Sequence, residues 1–321
     1  MVNKMKKILL PMSAALVLTA GTTFAQESGF QGGEINLEYN SLDNENLDSP
    51  ISMWSANFGV AYNLTSQFGL QVGAGYNGIE TEFEDGDTIG YSVDMTDLNA
   101  HAYYNAGADS KVGVFAARYS VSDVSIEVND VLEEVEDIST DLMIYGVEGM
   151  YESGSIKVEA RFGVADIQNS EILGPIADEV DISFYELDAE YAVSSQFNLI
   201  GGINGTNASM SGDEITLNTY SVGVEYQAME NLSLTAVVDA GSLSVSTETD
   251  SIDLLGYSVG AEYVVSGGAF GSNDITLFAN IGTTNISGFG IDEDATNLKI
   301  GANIAFGGAG SSDLFSRISL F

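Results

Sequence analysis

Apolar and polar residues take turns along most of the chain after residue 26. From Tyr185 to Tyr191, Tyr, Leu, Ala and Tyr alternate with Glu, Asp and Glu. Successive side chains of a β-strand point to opposite faces, so one face of this stretch is apolar and the other is acidic. The same spacing of two aromatics recurs at Tyr145–Tyr151, Tyr220–Tyr226 and Tyr257–Tyr263, with looser copies at Ala56–Tyr62, Leu98–Tyr104 and Ile300–Phe306. The pattern predicts a repeated strand that ends on an aromatic residue just before a turn.

The alternation predicts fourteen strands. They are 33–40, 51–62, 68–77, 92–105, 111–121, 139–151, 155–165, 181–193, 197–206, 214–227, 231–242, 252–265, 274–283 and 296–306. Strands of about ten residues cross a bilayer when they are tilted. No stretch after residue 25 has 18 or more consecutive apolar residues, so a membrane-spanning helix is not predicted there.

The connections between the predicted strands alternate between short and long. The short set is 63–67, 106–110, 152–154, 194–196, 228–230 and 266–273, and the longer, more acidic set is 41–50, 78–91, 122–138, 166–180, 207–213, 243–251 and 284–295. Short turns at one rim and long loops at the other are typical of outer-membrane barrels. We therefore predict an all-β, antiparallel, up-and-down transmembrane β-barrel of about 14 strands, with 16 as the alternative count. The short turns and both chain ends are expected on the periplasmic side.

Two other all-β architectures fit the pattern less well. A propeller would place four strands in each repeat of about forty residues, whereas two are found here. A soluble β-sandwich would give the same alternation, but it explains neither the difference in loop length nor a row of aromatics at one rim. We expect that row to form an interfacial aromatic girdle of Tyr62, Tyr104, Tyr151, Tyr191, Tyr226, Tyr263 and Phe306.

The chain divides into three segments. Residues 1–25 contain Lys4, Lys6 and Lys7, an apolar run and the sequence Thr23-Phe24-Ala25, which together predict a cleavable signal peptide. Residues 26–306 are the predicted transmembrane barrel, and 307–321 are a C-terminal tail, a plug or a terminal strand. The chain has no cysteine, so a disulfide framework and thiol chemistry are excluded.

The charge of the chain restricts its partners. The formal net charge is −38, and the chain without residues 1–25 keeps 47 acidic and six basic residues. Nucleic acid is excluded as a partner because phosphate binding needs Lys and Arg. The acidic clusters 43–48, 82–87 and 292–294 do not have the spacing of a calcium loop, so we interpret them as solvated charge and predict no metal site.

If the apolar stripes face lipid, the other face of each strand encloses the lumen. The predicted pore-lining residues are Asp97, His101, Lys111, Glu148, Lys157, Glu159, Arg161, Glu186, Asp188, Glu190, Glu225, Glu262 and Lys299. A polar, hydrated lumen with more acids than bases would favour cations. Small residues at inward positions, among them Gly69, Gly73 and Thr219, favour an open bore. The alternative is that the carboxylates pair with the few bases and only stiffen the wall.

The longest predicted loop, 122–138, is strongly acidic. Together with the signal peptide, the alternating strands, the aromatic row and Phe321, this loop makes the chain similar to the Gram-negative porin family. The resemblance implies a third loop that folds into the lumen and narrows it opposite basic wall residues. The constriction candidates would be Glu127, Asp130, Glu133, Glu134, Glu136 and Asp137, and the basic partners would be Lys111, Arg118, Lys157 and Arg161. The scarcity of arginine departs from the family pattern.

These features predict a bacterial outer-membrane channel for passive diffusion of small hydrophilic solutes and ions. The alternative is a non-conducting barrel with a structural or surface-interaction role. No enzyme activity and no cofactor are predicted, since His101 is the sole histidine and no nucleophile motif accompanies it. The expected partners are outer-membrane lipid and lipopolysaccharide, and the porin resemblance implies either a homotrimer or a barrel that stands alone.

Overall fold

The computed structural model describes residues 29–44, 49–84, 88–128, 131–134, 140–168, 180–210, 213–246, 251–265, 274–288, 290–307 and 315–316. The predicted signal peptide lies outside these residues. Within them the backbone forms strands and turns, and it contains no helix that is long and apolar enough to cross a membrane.

Fifteen strands follow one another in the described part of the chain. They are β1 (Gly29–Asn44), β2 (Ile51–Asn63), β3 (Phe68–Glu84), β4 (Thr88–Asn105), β5 (Ser110–Val128), β6 (Val131–Glu134), β7 (Thr140–Ser153), β8 (Ile156–Gln168), β9 (Val180–Ser194), β10 (Phe197–Met210), β11 (Asp213–Met229), β12 (Leu232–Val245), β13 (Ser251–Val265), β14 (Ile275–Gly288) and β15 (Ile291–Gly307).

The sheet closes on itself into a barrel. Each long strand pairs antiparallel with its neighbours along the chain, and β1 pairs with β15 from Gly32↔Gly307 to Asn44↔Ala295. The short strand β6 pairs only with the far end of β5, and β7 takes the place next to β5 in the ring. The ring therefore has fourteen strands, which confirms the predicted antiparallel barrel and its strand count. Closure leaves no unpaired edge in the bilayer, where an unpaired backbone group would be costly.

The two rims of the barrel differ in how the strands end. The short-turn rim carries the connections 64–67, 106–109, 154–155, 195–196 and 230–231, and the opposite end is the long-loop rim. At the long-loop rim most strands run further than predicted. The β3–β4 ladder continues to Glu84↔Thr88, so residues 78–84 and 88–91 are strand and the prediction of a loop there is wrong. Residues 79–84 themselves alternate apolar or Thr with Glu, as a strand does.

Candidate functional site

The two faces of the barrel wall are chemically distinct. The outward face carries exposed aliphatic side chains in its middle, such as Val147, Val222 and Val259, which are 55%, 63% and 56% exposed. Among the predicted girdle residues, Tyr104, Tyr151, Tyr191, Tyr226 and Tyr263 are exposed on this face. Tyr62 and Phe306 lie there too, where both rings contact Phe30. These side chains give the barrel an apolar belt that begins close to the short-turn rim.

The opposite face encloses the lumen, and all thirteen predicted pore-lining residues belong to it. Asp97, His101, Glu148, Glu159 and Arg161, on β4, β7 and β8, are buried inside the barrel. Lys111, Lys157, Glu186, Asp188, Glu190, Glu225 and Lys299 are half-buried, and Glu262 is exposed. Pore lining as a role stays a prediction, because location alone does not establish passage.

A network of five polar and charged side chains crosses the inner wall, and four of the five are buried. The register places Glu148 of β7 opposite Arg161 of β8, and Arg161 opposite Glu186 of β9. Arg161 Nη1 donates to Glu186 Oε2 at 2.6 Å, its Nη2 donates to Glu159 Oε1 at 2.7 Å, and its Nε lies 3.7 Å from Glu148 Oε2. His101 Nδ1 lies 2.9 Å from both carboxylate oxygens of Glu148. We call these five residues the buried ion network.

An apolar layer lies beside the network on the long-loop side. Its buried members are Phe115, Ala117, Tyr119, Ile144 and Ala165, with Leu142, Ile182 and Phe184 packed against them. Two inward glycines make room for the rings. A Cβ on Gly146 would lie 2.7 Å from the ring of Phe115, and one on Gly163 would lie 2.6 Å from the ring of Phe184. The prediction of a polar lumen is therefore wrong for this sector, which is packed like a protein core.

Glycines on the inner face of β3 do not open the bore as expected. The ring of Tyr103 from β4 lies where a Cβ of Gly69 would be, and the side-chain amide of Asn99 lies 2.6 Å from the position of a Cβ on Gly73. The neighbouring strand thus fills the space that each missing side chain leaves.

Two residues beyond the last strand also lie inside the barrel. Phe315 is 2% exposed and contacts the rings of His101 and Tyr103, while Ser316 hydrogen-bonds to Glu159 and Arg161. Both residues fall in the predicted tail, 307–321, whose remaining residues after Gly307 lie outside the described part of the chain.

The sector of the lumen along β9–β13 is open by comparison. A cavity of about 310 Å³ is lined by Lys157, Asp188, Glu190, Ser221, Val237 and Ser316. Asn198 Nδ2 donates to Glu190 Oε1 at 3.0 Å and to Glu225 Oε2 at 3.2 Å, which holds these two carboxylates side by side. Further along the wall, the inward side chains of Asp239 and Glu262 are exposed to solvent. The lumen therefore has a packed sector and an accessible, acidic sector.

The basic residues expected to face the acidic loop are not together. Arg118 points outward on β5, where its Nη2 donates to Asp141 at 2.7 Å and its side chain is 53% exposed. The expectation that Arg118 faces the lumen is wrong, since its position is in phase with the outward Val112 and Val114. Lys111 lies over the ring of Tyr103 at 5.7 Å, and Lys157 lines the accessible cavity.

The segment predicted as a long acidic loop is largely strand. Residues 124–128 of β5 pair with β4, and β6 pairs back onto them, so that Glu127, Glu133 and Glu134 belong to a hairpin that extends the sheet. An irregular loop over 122–138 is therefore the wrong description of these residues. Asp130, Glu136 and Asp137 lie outside the described residues, and the constriction role of the six acids stays a prediction.

Sequence reasoning missed the residues that fill the packed sector. Phe115 and Tyr119 share the phase of Lys111, and Phe184 shares the phase of Glu186, so both sets had to face inward. The available signal was an inward aromatic on one strand facing a glycine on the next, as in the pairs Phe115↔Gly146 and Phe184↔Gly163. No pattern along the chain pointed to Gln71 or Phe315.

The sequence matches the model of one protein family. The match is to the outer membrane protein beta-barrel domain and covers residues 12–227, which extends through most of β11. None of the curated proteins matches the sequence.

Solved structures share the fold at low sequence identity. The toluene transporter TodX of Pseudomonas putida has a TM-score of 0.54 at 9% identity, with 91% of this chain and 93% of that chain covered. OmpT of Vibrio cholerae has a TM-score of 0.52 at 13% identity, with 89% and 100% covered. CdiB from Acinetobacter baumannii has a TM-score of 0.50 at 10% identity, and the alignment covers 88% of this chain and 60% of CdiB.

Proposed function

Because the chain belongs to the outer membrane protein beta-barrel domain family and forms a closed barrel of the bacterial outer membrane, we propose that it is a porin-like channel. Small hydrophilic solutes and ions would cross it passively. No cofactor or catalytic residue takes part in this proposal. The similarity to TodX and OmpT supports the fold, and the proposal rests on the lumen of this chain.

The accessible, acidic sector is the observation that carries the proposal. A barrel with a fully packed interior would bury its inward side chains. Along β9–β13, by contrast, carboxylates line a cavity or are exposed to solvent. Charged groups that stay solvated have little desolvation free energy to offset. A strip of them along one wall gives a path that water and small polar solutes can share.

The excess of carboxylates supports a preference for cations. Strands β9–β13 contribute inward carboxylates, among them Glu190 and Glu225 beside Asn198, and contain no Lys or Arg. Lys157 of β8 stands opposite Glu190 in the register, and Lys299 is matched by Glu38, whose Oε1 lies 3.0 Å from its Nζ. The accessible sector thus carries more negative than positive charge, which raises the local concentration of cations.

The packed sector favours the second candidate, a barrel that does not conduct. The buried ion network and the apolar layer occupy the inner face of β4–β8 and narrow the free bore. In that case the long strands above the membrane, with their acidic residues, would serve in surface interaction or envelope structure.

Partners follow from the same surfaces. The apolar outward face fits acyl chains. Lipopolysaccharide is the proposed neighbour of the long-loop rim, where the exposed Arg118 pairs with the half-buried Asp141. A homotrimer is one proposed assembly and a single barrel is the other. Nucleic acid is not a proposed partner, since the chain carries 47 acidic and nine basic residues.

Planar bilayer recordings test the proposal. Purified protein should give discrete conductance steps and, in a potassium chloride gradient, a reversal potential of the sign expected for cations. Replacing Glu190 and Glu225 by Gln should move that potential towards zero, because two negative charges leave the accessible sector. The matched control is Asp181→Asn with Asp253→Asn, which removes two exposed acids from the outward face.

One result would decide against the channel, and another would decide against the proposed source of its selectivity. Folded wild-type protein without conductance supports the non-conducting barrel. An equal shift in the control and in the lumen variant would show that the selectivity does not arise from Glu190 and Glu225.

A further inference from the structure

We infer that the lumen contains a binding site for a short aromatic-serine peptide, and that the chain's own Phe315-Ser316 occupies it as a tethered plug. We call these two residues the plug dipeptide. Its site is formed by Gln71 on β3, His101 and Tyr103 on β4, Met150 on β7, and Glu159 and Arg161 on β8. The occlusion that this plug would cause rests on the proposed channel function, whereas the binding site does not.

Gln71 recognises the backbone of Phe315. Its Nε2 donates to the Phe315 carbonyl oxygen at 2.8 Å, and its Oε1 accepts from the Phe315 N–H at 3.1 Å. A side-chain amide that both donates and accepts imitates the pairing of a neighbouring strand. Gln71 is 4% exposed with Phe315 in place, so these two hydrogen bonds satisfy both polar groups of an amide that the plug dipeptide shields from solvent.

Side chains of β8 recognise the backbone of Ser316. The Ser316 N–H donates to Glu159 Oε1 at 3.0 Å, and its Oγ donates to Glu159 Oε2 at 2.8 Å. Arg161 Nη2 donates to the Ser316 carbonyl oxygen at 2.7 Å. All four backbone polar groups of the plug dipeptide are therefore satisfied by lumen side chains, as expected of a site built for an extended peptide.

An aromatic pocket holds the Phe315 side chain. Its ring is stacked on that of His101, with centroids 5.9 Å apart and 3° between the planes, and it meets Tyr103 edge-on at 5.7 Å. Met150 completes the pocket. Burial of a whole phenyl ring and contact with two further rings give the site a preference for an aromatic residue at the first position.

The tether explains why a small site can hold its ligand. Seven residues separate Gly307, the end of β15, from Phe315, and eight Cα–Cα steps reach at most about 28 Å. A short linker keeps a ligand at an effective concentration in the millimolar range, so a site with two residues of contact stays filled yet can be vacated.

The position of Ser316 connects the plug to the proposed path. Ser316 lines the accessible cavity together with Asp188 and Glu190, so departure of the plug dipeptide would widen that cavity towards Gln71 and Tyr103. The packed sector would then lose Phe315 and Ser316, the residues in it that do not belong to a strand of the barrel.

Disulfide trapping tests the binding site without reference to conductance. The chain has no cysteine, so introduced cysteines are the only thiols. A short bis-methanethiosulfonate reagent should join the two thiols of the folded Glu159→Cys, Ser316→Cys variant through reducible disulfide bonds with high yield, because the reagent replaces the length of the Glu159 side chain that reaches Ser316. The control pair, Val222→Cys with Ser316→Cys, should not be joined, because Val222 is on the outward face. Absence of the disulfide link in a folded barrel would overturn the inference.

Solute access to the lumen tests the plug. We expect a small charged thiol reagent to label Met150→Cys, at a position that is 5% exposed beside Phe315, at least tenfold faster when Phe315 is also replaced by Ala, and Gln71→Ala should act in the same direction. Gln67→Ala, in an exposed turn, is the matched control and should leave the rate unchanged. An equal labelling rate in the Phe315→Ala variant would overturn the plug.

Conductance separates this inference from the proposed function. If both hold, the Phe315→Ala variant conducts more than wild type. In the Glu159→Cys, Ser316→Cys variant, closing the disulfide link lowers the conductance and reducing the link raises it again. A protein that forms the disulfide link and shows the faster labelling, but never conducts, retains the plug and refutes the channel. Conductance that is identical with the disulfide link closed and open refutes the plug and retains the channel.

Discussion

Arg161 is the residue on which the packed sector depends electrostatically, and its replacement is a sharp test of that view. Its side chain is 1% exposed and lies between the carboxylates of Glu148, Glu159 and Glu186. The change Arg161→Met keeps the length and much of the apolar volume of the side chain and removes the positive charge. The carboxylates then face one another without a guanidinium between them.

The expected loss follows from burial of the groups left behind. The Glu148 side chain is fully buried and that of Glu159 is 8% exposed, so water cannot take over the role of Arg161 for these two. Glu186 is 30% exposed and can be partly solvated. Breaking a buried ion pair by removing one partner costs about 3–5 kcal/mol, because an unpaired charge stays buried. We expect Arg161→Met to lower the free energy of unfolding by that amount.

The matched control is a pair on the same inner face with more solvent. Lys299 Nζ lies 3.0 Å from Glu38 Oε1, and the two side chains are 42% and 25% exposed. Lys299→Met should therefore cost no more than about 1 kcal/mol. Both variants can be measured by urea unfolding in lipid vesicles, followed by the fluorescence of Trp54, the single tryptophan.

A double-mutant cycle identifies the cause. Adding Glu148→Gln to Arg161→Met should restore part of the stability, with a coupling of about 1–3 kcal/mol, since neutralisation removes the buried charge. If Arg161→Met costs no more than Lys299→Met, or if Glu148→Gln restores nothing, the reasoning from burial is wrong.

Two further predictions concern the wall itself. A Cβ on Gly146 would meet the carbonyl oxygen of Phe162, so Gly146→Ala should lower the free energy of unfolding by about 1–3 kcal/mol, while Gly107→Ala, with nothing near its Cβ, should leave it unchanged. Equal unfolding midpoints would contradict the close packing inside the barrel. Val222→Arg on the outward face should cost about 2–4 kcal/mol in the bilayer, and Met229→Arg at the short-turn rim about 0–1 kcal/mol. No difference between these two variants in vesicle unfolding would contradict the placement of lipid against this face.

The lumen shows how far the sequence could lead. The inward phase of Glu148, Arg161 and Glu186 was readable from each strand alone, but their contact was not, because it depends on the register of three strands. The outward phase of Arg118 could also be read from its strand, but the expected pairing with an acidic loop in the lumen led to an inward prediction. The side chains that fill the lumen could not be identified from one strand, because an aromatic ring on one strand packs over a glycine on the next.

The sequence by itself determined the fold class, the number of strands and the face to which most side chains point. Alternation is a local property of an extended backbone, so each strand carries its own phase. The tertiary structure decided which part of the lumen is packed, which part is accessible, and where Phe315 binds. Gln71 and Phe315 are 244 residues apart in the chain, and they meet because the barrel closes around Phe315. Contacts of that range depend on closure, which no local pattern encodes.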